Sequence, residues 1–182
     1  MDVRARIVGR LLSGIDELIP VATGSVVWGI TPLLLSCFLT DRQPPLELIV
    51  SARAVLAGPG GTVFVFDENG PHVLPGGRRE GAEPVLDALA REIGEEVGCS
   101  IVGEPRPLGF FELRNEGPKP EGYLYPYPRN FHVVFTASAG PVTRAPIDPN
   151  VHDGRFVSRK EALAMDIPWA ERVFLEATGG TP

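Results

Sequence analysis

Cysteine is nearly absent: Cys37 and Cys99 are the only two in 182 residues. They stand far apart with no histidine at ligand spacing, which excludes a disulfide framework and a zinc-binding pattern and fits a protein with reduced thiols in the cytoplasm. Lysine is equally scarce. Of the 17 basic residues only Lys119 and Lys160 are lysine, the rest being arginine. Positive charge is also in deficit overall, with 17 basic against 23 acidic residues and a net charge of −6. A surface of that sign repels polyanions, so neither nucleic acid nor an anionic membrane is expected as a partner. No internal repeat is visible, and the N-terminus lacks the basic region, apolar core and cleavage site expected of a signal peptide. What is present is ordinary globular composition, 43% hydrophobic and 22% charged, in a length suited to one well-packed domain with a small appendage.

One long run lacks charge altogether. Residues 19–40 would reach across a bilayer, but Pro20, Gly24, Gly29 and Pro32 interrupt them and their flanks show no positive bias. The β-forming residues over 26–39, broken at Pro32, instead predict two short strands or an edge strand. Ahead of them Val3, Ile7, Leu11, Ile15 and Leu18 recur at helical spacing and predict an amphipathic helix over 2–18. Residues 1–45 thus form an N-terminal extension, helix plus apolar strands, that either covers a sheet edge or makes the interface of a homodimer.

The main domain is expected over 46–182. Strands are predicted at 47–57, 62–67 and 72–74, followed by a loop, a helix and a loop over 77–99. Further strands fall near 102–114, 131–137 and 154–157; Ser158 then caps a helical region, and a last helical turn follows Pro168. This order makes an α/β protein, a mixed sheet sandwiched between helices. Two interruptions rich in proline and glycine, 115–129 and 140–152, have the length of binding loops.

The most informative stretch is 77–99. On a helix Glu92, Glu95 and Glu96 fall at i, i+3 and i+4, within roughly 100° of one face. Like charges at those offsets cost an isolated helix about a few tenths of a kcal/mol per pair, and they raise one another's pKa unless a cation neutralises them. A hard divalent ion held by oxygen ligands removes that cost. Val85, Leu89, Ile93 and Val97 give the same helix a packing stripe, as in any amphipathic surface helix. Such a helix, however, explains neither Arg91 nor the bracketing glycines Gly77 and Gly98.

The spacing G-x5-E-x7-R-E-U-x-E-E-x-G-U, with U a bulky apolar residue, is the Nudix box. The segment resembles it at Gly77, Glu83, Arg91, Glu92, Ile93, Glu95, Glu96 and Gly98. Cys99 stands where the pattern has Ile, Leu or Val, a packing position that a free thiol can fill. Leu74-Pro75-Gly76-Gly77 resembles the family's usual approach to the box. The resemblance implies the Nudix fold and hydrolysis of a nucleoside diphosphate linked to a further group, with Mg²⁺ or Mn²⁺ holding the phosphate oxygens. It implies Glu92, Glu95 and Glu96 as metal ligands, with the Gly76 carbonyl beside them. Glu83 and Arg91 would be the ion pair that fixes loop against helix, although Glu83 sometimes counts among the ligands. The general base is one of the box glutamates or an acid from a later loop, where Asp148 and Asp153 are candidates that would serve equally as turn residues. Arg53, Arg78 with Arg79, and Arg114 are candidates for substrate contact, against structural salt bridges or solvated loops. Tyr125, with Tyr123 and Tyr127, offers either a stacking face for a base or the packing of a proline-rich edge segment. An alternative from another class is a Nudix-like module that senses a nucleotide or ADP-ribose without turnover. Such modules usually lose box acids and this chain keeps them all, so an active hydrolase acting on a small-molecule nucleoside diphosphate derivative is the expectation.

Overall fold

The computed structural model describes residue 9 and residues 12–28, 31–58, 60–67 and 70–180. Among the described residues the strands are β1 (Ala22–Trp28), β2 (Thr31–Leu39), β3 (Ile49–Gly58), β4 (Gly61–Asp67), β5 (Gly70–His72), β6 (Gly76–Arg78), β7 (Ile101–Asn115), β8 (Arg129–Ala139) and β9 (Val151–Val157). They join in one sheet of order β1-β2-β7-β8-β3-β4-β5, with β6 paired to β3 and β9 to β4. The β3–β8 pair is parallel and the other pairs are antiparallel, so the sheet is mixed. The helices are α1 (Val85–Glu96), α2 (Arg159–Ala164) and α3 (Trp169–Ala177).

Because successive side chains of a strand point to opposite faces, adjacent phenylalanines on β7 feed two cores. Phe110 stacks on Phe38 with ring centroids 4.8 Å apart and meets Phe131 edge-on at 5.5 Å. These join Leu56, Val133 and the buried stripe of α1, Leu89 and Ile93, on one face of the sheet. Phe111 points the other way and packs edge-on against Phe174 of α3 at 4.7 Å, with Leu35, Leu113, Val134 and Leu175. The sheet is therefore covered by α1 on one side and α3 on the other, the α/β sandwich that the pattern of elements predicted. The Ser158 cap is formed, its hydroxyl accepting from the Glu161 N–H at 3.2 Å.

The uncharged N-terminal run is a β-hairpin. β1 forms the sheet edge, and β2 lies between β1 and β7. Pro32 does not break the strands as the sequence suggested; it lies inside β2, one residue ahead of the Leu33–Asn115 pairing with β7. Its missing N–H therefore interrupts no bond on that side. Residues 12–16 are helical, and Ile15 packs into the α1-side core; most of the helix expected over 2–18 lies outside the described residues. Among those residues no helix is long and apolar enough to cross a membrane. The short strand predicted at 72–74 resolves differently, as pairing at Gly70–His72 and again at Gly76–Arg78. Between them Val73 and Leu74 turn fully into the core, while the carbonyls of Leu74 and Pro75 accept from the Arg53 guanidinium and the Ala54 N–H, each at 3.0 Å.

Candidate active site

The site begins where β6 lies against β3, with Gly76 opposite Arg53, Gly77 opposite Ala52 and Arg78 opposite Ser51. Gly76 has φ +130°, a conformation that side-chain-bearing residues rarely adopt. A Cβ on Gly77 would collide with the carboxyl group of Glu92. The two glycines thus let the carboxylates of α1 approach the loop backbone directly, and the Gly76 N–H donates to Glu96 Oε2 at 2.7 Å.

Arg91 locks the preceding loop to the same helix. Its Nε and one terminal nitrogen donate to the two oxygens of Glu83 at 3.0 and 3.1 Å, a bidentate pair. The other terminal nitrogen reaches Glu92 at 3.0 Å and Glu95 at 3.3 Å, and a further bond goes to the Arg78 carbonyl at 2.8 Å. Arg79 is structural rather than substrate-facing. It donates to the Glu83 carbonyl at 2.9 and 2.6 Å and to the carbonyls of Leu46 and Ile49 at 3.1 and 3.0 Å.

These elements border a cleft of about 430 Å³, lined by Ser51, Arg53, Gly76, Arg78, Glu92 and Glu96. His132 of β8, Val65 and Asp67 of β4, and the turn carrying Asp148 and Asn150 also line it. Burial pushes the Glu96 carboxyl up to about 7 despite its bond from Gly76. It also raises Glu92, against the opposing hydrogen bond from Arg91. Glu83, by contrast, is lowered by its hydrogen bonds from Arg91. Burial, with Arg53 and Arg78 nearby, pushes His132 down to about 3, so its ring is neutral at physiological pH.

The candidates from the sequence separate clearly. Glu92, Glu96, Gly76, Arg53, Arg78 and Asp148 all line the cleft. Asp148 is placed by its N–H bond to the Glu95 carbonyl at 3.3 Å, and its carboxylate accepts from the backbone and side chain of Asn150 at 2.8 and 3.0 Å. Glu95 is turned toward Arg91. Tyr125 lines a neighbouring cavity, with the Arg78 guanidinium 5.0 Å from its ring centroid. Asp153 and Arg114 line neither the cleft nor that cavity. Asp153 sits half-exposed on β9, 3.5 Å from Arg155. Arg114 pairs with the buried Glu112 at 3.0 Å, in a network where Arg129 bridges Glu112 at 2.6 Å and Asp16 at 2.7 Å. Ser51, Asp67 and His132 were missed. Ser51 and His132 are paired across β3 and β8, and a lone serine or histidine within an apolar strand carries no sequence signal that separates it from the core; Asp67 reads as an ordinary acid at a strand end.

Among the described residues no three acidic, histidine or cysteine side chains converge into a preformed metal cluster. The donor chemistry nevertheless fits a hard divalent ion. The cleft is lined by four carboxylate residues, Asp67, Glu92, Glu96 and Asp148, and Glu96 is buried with its charge so poorly compensated that it titrates near neutrality.

No curated protein sequence is significantly similar to the chain. Among solved structures it resembles a mutant form of the Bacillus subtilis pyrophosphohydrolase BsRppH, at 14% identity and TM-score 0.57, over 82% of this chain and 94% of that one. It also resembles a NUDIX hydrolase from Nitrosomonas europaea (18%, TM-score 0.53, 71% and 87% of the two chains). A MutT NUDIX hydrolase from Burkholderia pseudomallei is similar too (22%, TM-score 0.51, 71% and 96%). At these identities the likeness is one of fold. The NUDIX domain model matches residues 47–177, from the approach to β3 through α3. Since that match takes in most of the chain, including the glycine loop and glutamate helix, the protein belongs to the Nudix family and is an enzyme of that family.

Proposed function

We propose that this chain, as a member of a family that uses divalent metal ions and acts on small nucleoside diphosphate derivatives, hydrolyses a pyrophosphate bond in such a derivative with Mg²⁺ or Mn²⁺, in the cytoplasm, where its buried thiols stay reduced. The observation that carries the reading is Glu96, a buried carboxyl placed against the Gly76 N–H in a cleft that also presents Glu92, Asp148 and two arginines. An acidic site facing a polyanionic substrate needs added positive charge, and this one is short of it. When bound, the ion supplies that charge and favours attack at phosphorus. Glu92 and Glu96 would hold it together with the Gly76 carbonyl, with Glu95 beside them on the helix. Arg53, fixed by its bond to Leu74, and Arg78 are the cleft's own cations and would orient the phosphates through planar, bidentate contacts. A cleft carboxylate, Glu92, Glu96 or Asp148, takes the proton from the attacking water. Arg91 and Glu83 keep the loop and helix in register for this arrangement.

The test is a screen of nucleotide sugars, dinucleoside polyphosphates, nucleoside triphosphates and ADP-ribose with Mg²⁺ or Mn²⁺. Hydrolysis of at least one class, abolished by a chelator, is expected. Hydrolysis that persists with chelator and in Glu96→Gln, or no hydrolysis of any class, would refute the assignment.

A further inference from the structure

Val73, Leu74 and Pro75 carry the chain from its pairing with β4, which ends at His72, to its pairing with β3, which begins at Gly76. Val73 and Leu74 are fully buried, and buried backbone groups outside a ladder need other partners. Side chains supply them along this segment. Arg53 meets the Leu74 carbonyl and Glu96 the Gly76 N–H, both from the cleft. The Val73 N–H goes the other way and donates to Glu171 at 2.8 Å.

Glu171 comes from the far face of the sheet. It stands in the first turn of α3 and is 8% exposed. One carboxylate oxygen holds the Val73 N–H, and the other lies 2.8 Å from His72 Nδ1. His72 Nε2 in turn lies 3.3 Å from Oδ1 of the cleft acid Asp67, at ion-pair distance though off the line of a hydrogen bond. The bond to Glu171 raises the His72 pKa, which favours an imidazolium between the two carboxylates. If α3 had only to cover the sheet, an apolar side chain would do so without the cost of burying a charge. What the carboxylate adds is a fixed acceptor behind the segment that presents Gly76.

We propose that Glu171 is a positioning residue of the active site: with His72 it fixes the 72–76 segment from behind, and so sets where Gly76 and the Asp67 carboxylate stand in the cleft. The proposal rests on the hydrolase reading for the metal, yet the placement of Gly76 can be tested without metal or substrate.

The experiment measures hydrogen exchange at the Gly76 amide by NMR in the metal-free protein, and Mn²⁺ affinity by electron paramagnetic resonance with the metal alone. In Glu171→Ala the Gly76 amide should exchange about fivefold or more faster than in wild type, and Mn²⁺ should bind about tenfold more weakly, as when an outer partner of a metal site is lost. Glu171→Gln keeps a carbonyl for the Val73 N–H and loses the charge facing His72; it should fall between the two, and it serves as the test should the alanine variant fold poorly. Arg172→Ala, which instead frees α3 from the Leu163 and Met165 carbonyls, should lower the melting temperature and leave both readouts as in wild type. The proposal is overturned if Gly76 exchanges no faster in the Glu171 variants, if Arg172→Ala has the same effect, or if a wild type that binds Mn²⁺ is matched by Glu171→Ala. A chain whose Gly76 responds in this pattern but which binds no Mn²⁺ and hydrolyses nothing would keep the positioning role and lose the hydrolase reading. Metal-dependent turnover with Gly76 indifferent to Glu171 would do the reverse.

Discussion

Replacing Glu96 by Gln should make the metal-free protein more stable while removing its activity. The Glu96 carboxyl titrates at about 7 in the folded chain, against an ordinary value of 4.5, because burial disfavours its charged form. At about 1.36 kcal/mol per pKa unit, that gap is worth about 3 kcal/mol. The sign follows from which state holds the proton. Below pH 4.5 the group is protonated in both states and contributes nothing. Between 4.5 and 7 the unfolded chain ionises first, so stability falls as pH rises. Above 7 the folded protein carries the whole cost. Gln bears no charge, and its side-chain carbonyl can still accept the Gly76 N–H. The variant and wild type should therefore unfold alike in urea at pH 4.5 with chelator present, and the variant should gain up to about 3 kcal/mol by pH 8. Adding Mg²⁺ or Mn²⁺ at pH 8 should narrow the gap, because an ion that binds only the folded wild type stabilises it. The kcat of the variant should fall by about 10²-fold or more. A variant less stable than wild type at pH 8, or one with full activity at saturating metal, would refute the reasoning that Glu96 is strained for the sake of a cation.

Arg91→Ala should lower stability as well as rate, since it removes five hydrogen bonds and leaves the box acids without their cation. With the Arg91 side chain 25% exposed, solvent screening keeps the loss below that of a fully buried pair, at about 1.5 kcal/mol or more; an unchanged melting temperature would contradict the clamp. His72 Nδ1 lies 2.8 Å from Glu171, and that hydrogen bond raises the His72 pKa above 6.5. Its stabilisation is full below about pH 6.5 and is lost as pH rises through the raised value, so the stability difference between wild type and His72→Gln should shrink between pH 6 and pH 9. Deleting residues 1–45 strips β1 and β2 from β7 and uncovers Phe110 and Leu113; light scattering should detect aggregation, and a monodisperse truncated protein would count against the hairpin as an integral cover.

What the sequence determined is what local spacing and side-chain chemistry control. The glutamates of α1, its packing stripe and the Glu83–Arg91 pair all lie within one continuous segment, where helical geometry leaves little choice of neighbours. The sheet between helices was legible from the order of strands and helices along the chain. Strand boundaries shifted by a few residues, and β6 escaped notice because two of its three residues are glycine, which has low strand propensity. Only tertiary structure decided which of Asp148 and Asp153 enters the cleft. The bonds from Ile147 and Asp148 to the Glu95 carbonyl place Asp148 there, whereas the pairing of β9 with β4 holds Asp153 outside. The same holds for Arg114, whose direction is set by the register of β7 between β2 and β8 and by the waiting carboxylate of Glu112. The cavity lined by Asn115 and Tyr125 depends on β2, which lies some eighty positions before Asn115 in the chain and meets it through one register of pairing. A strand's side chains acquire their neighbours from its partners, and a shift of one residue would move every one of them to the opposite face.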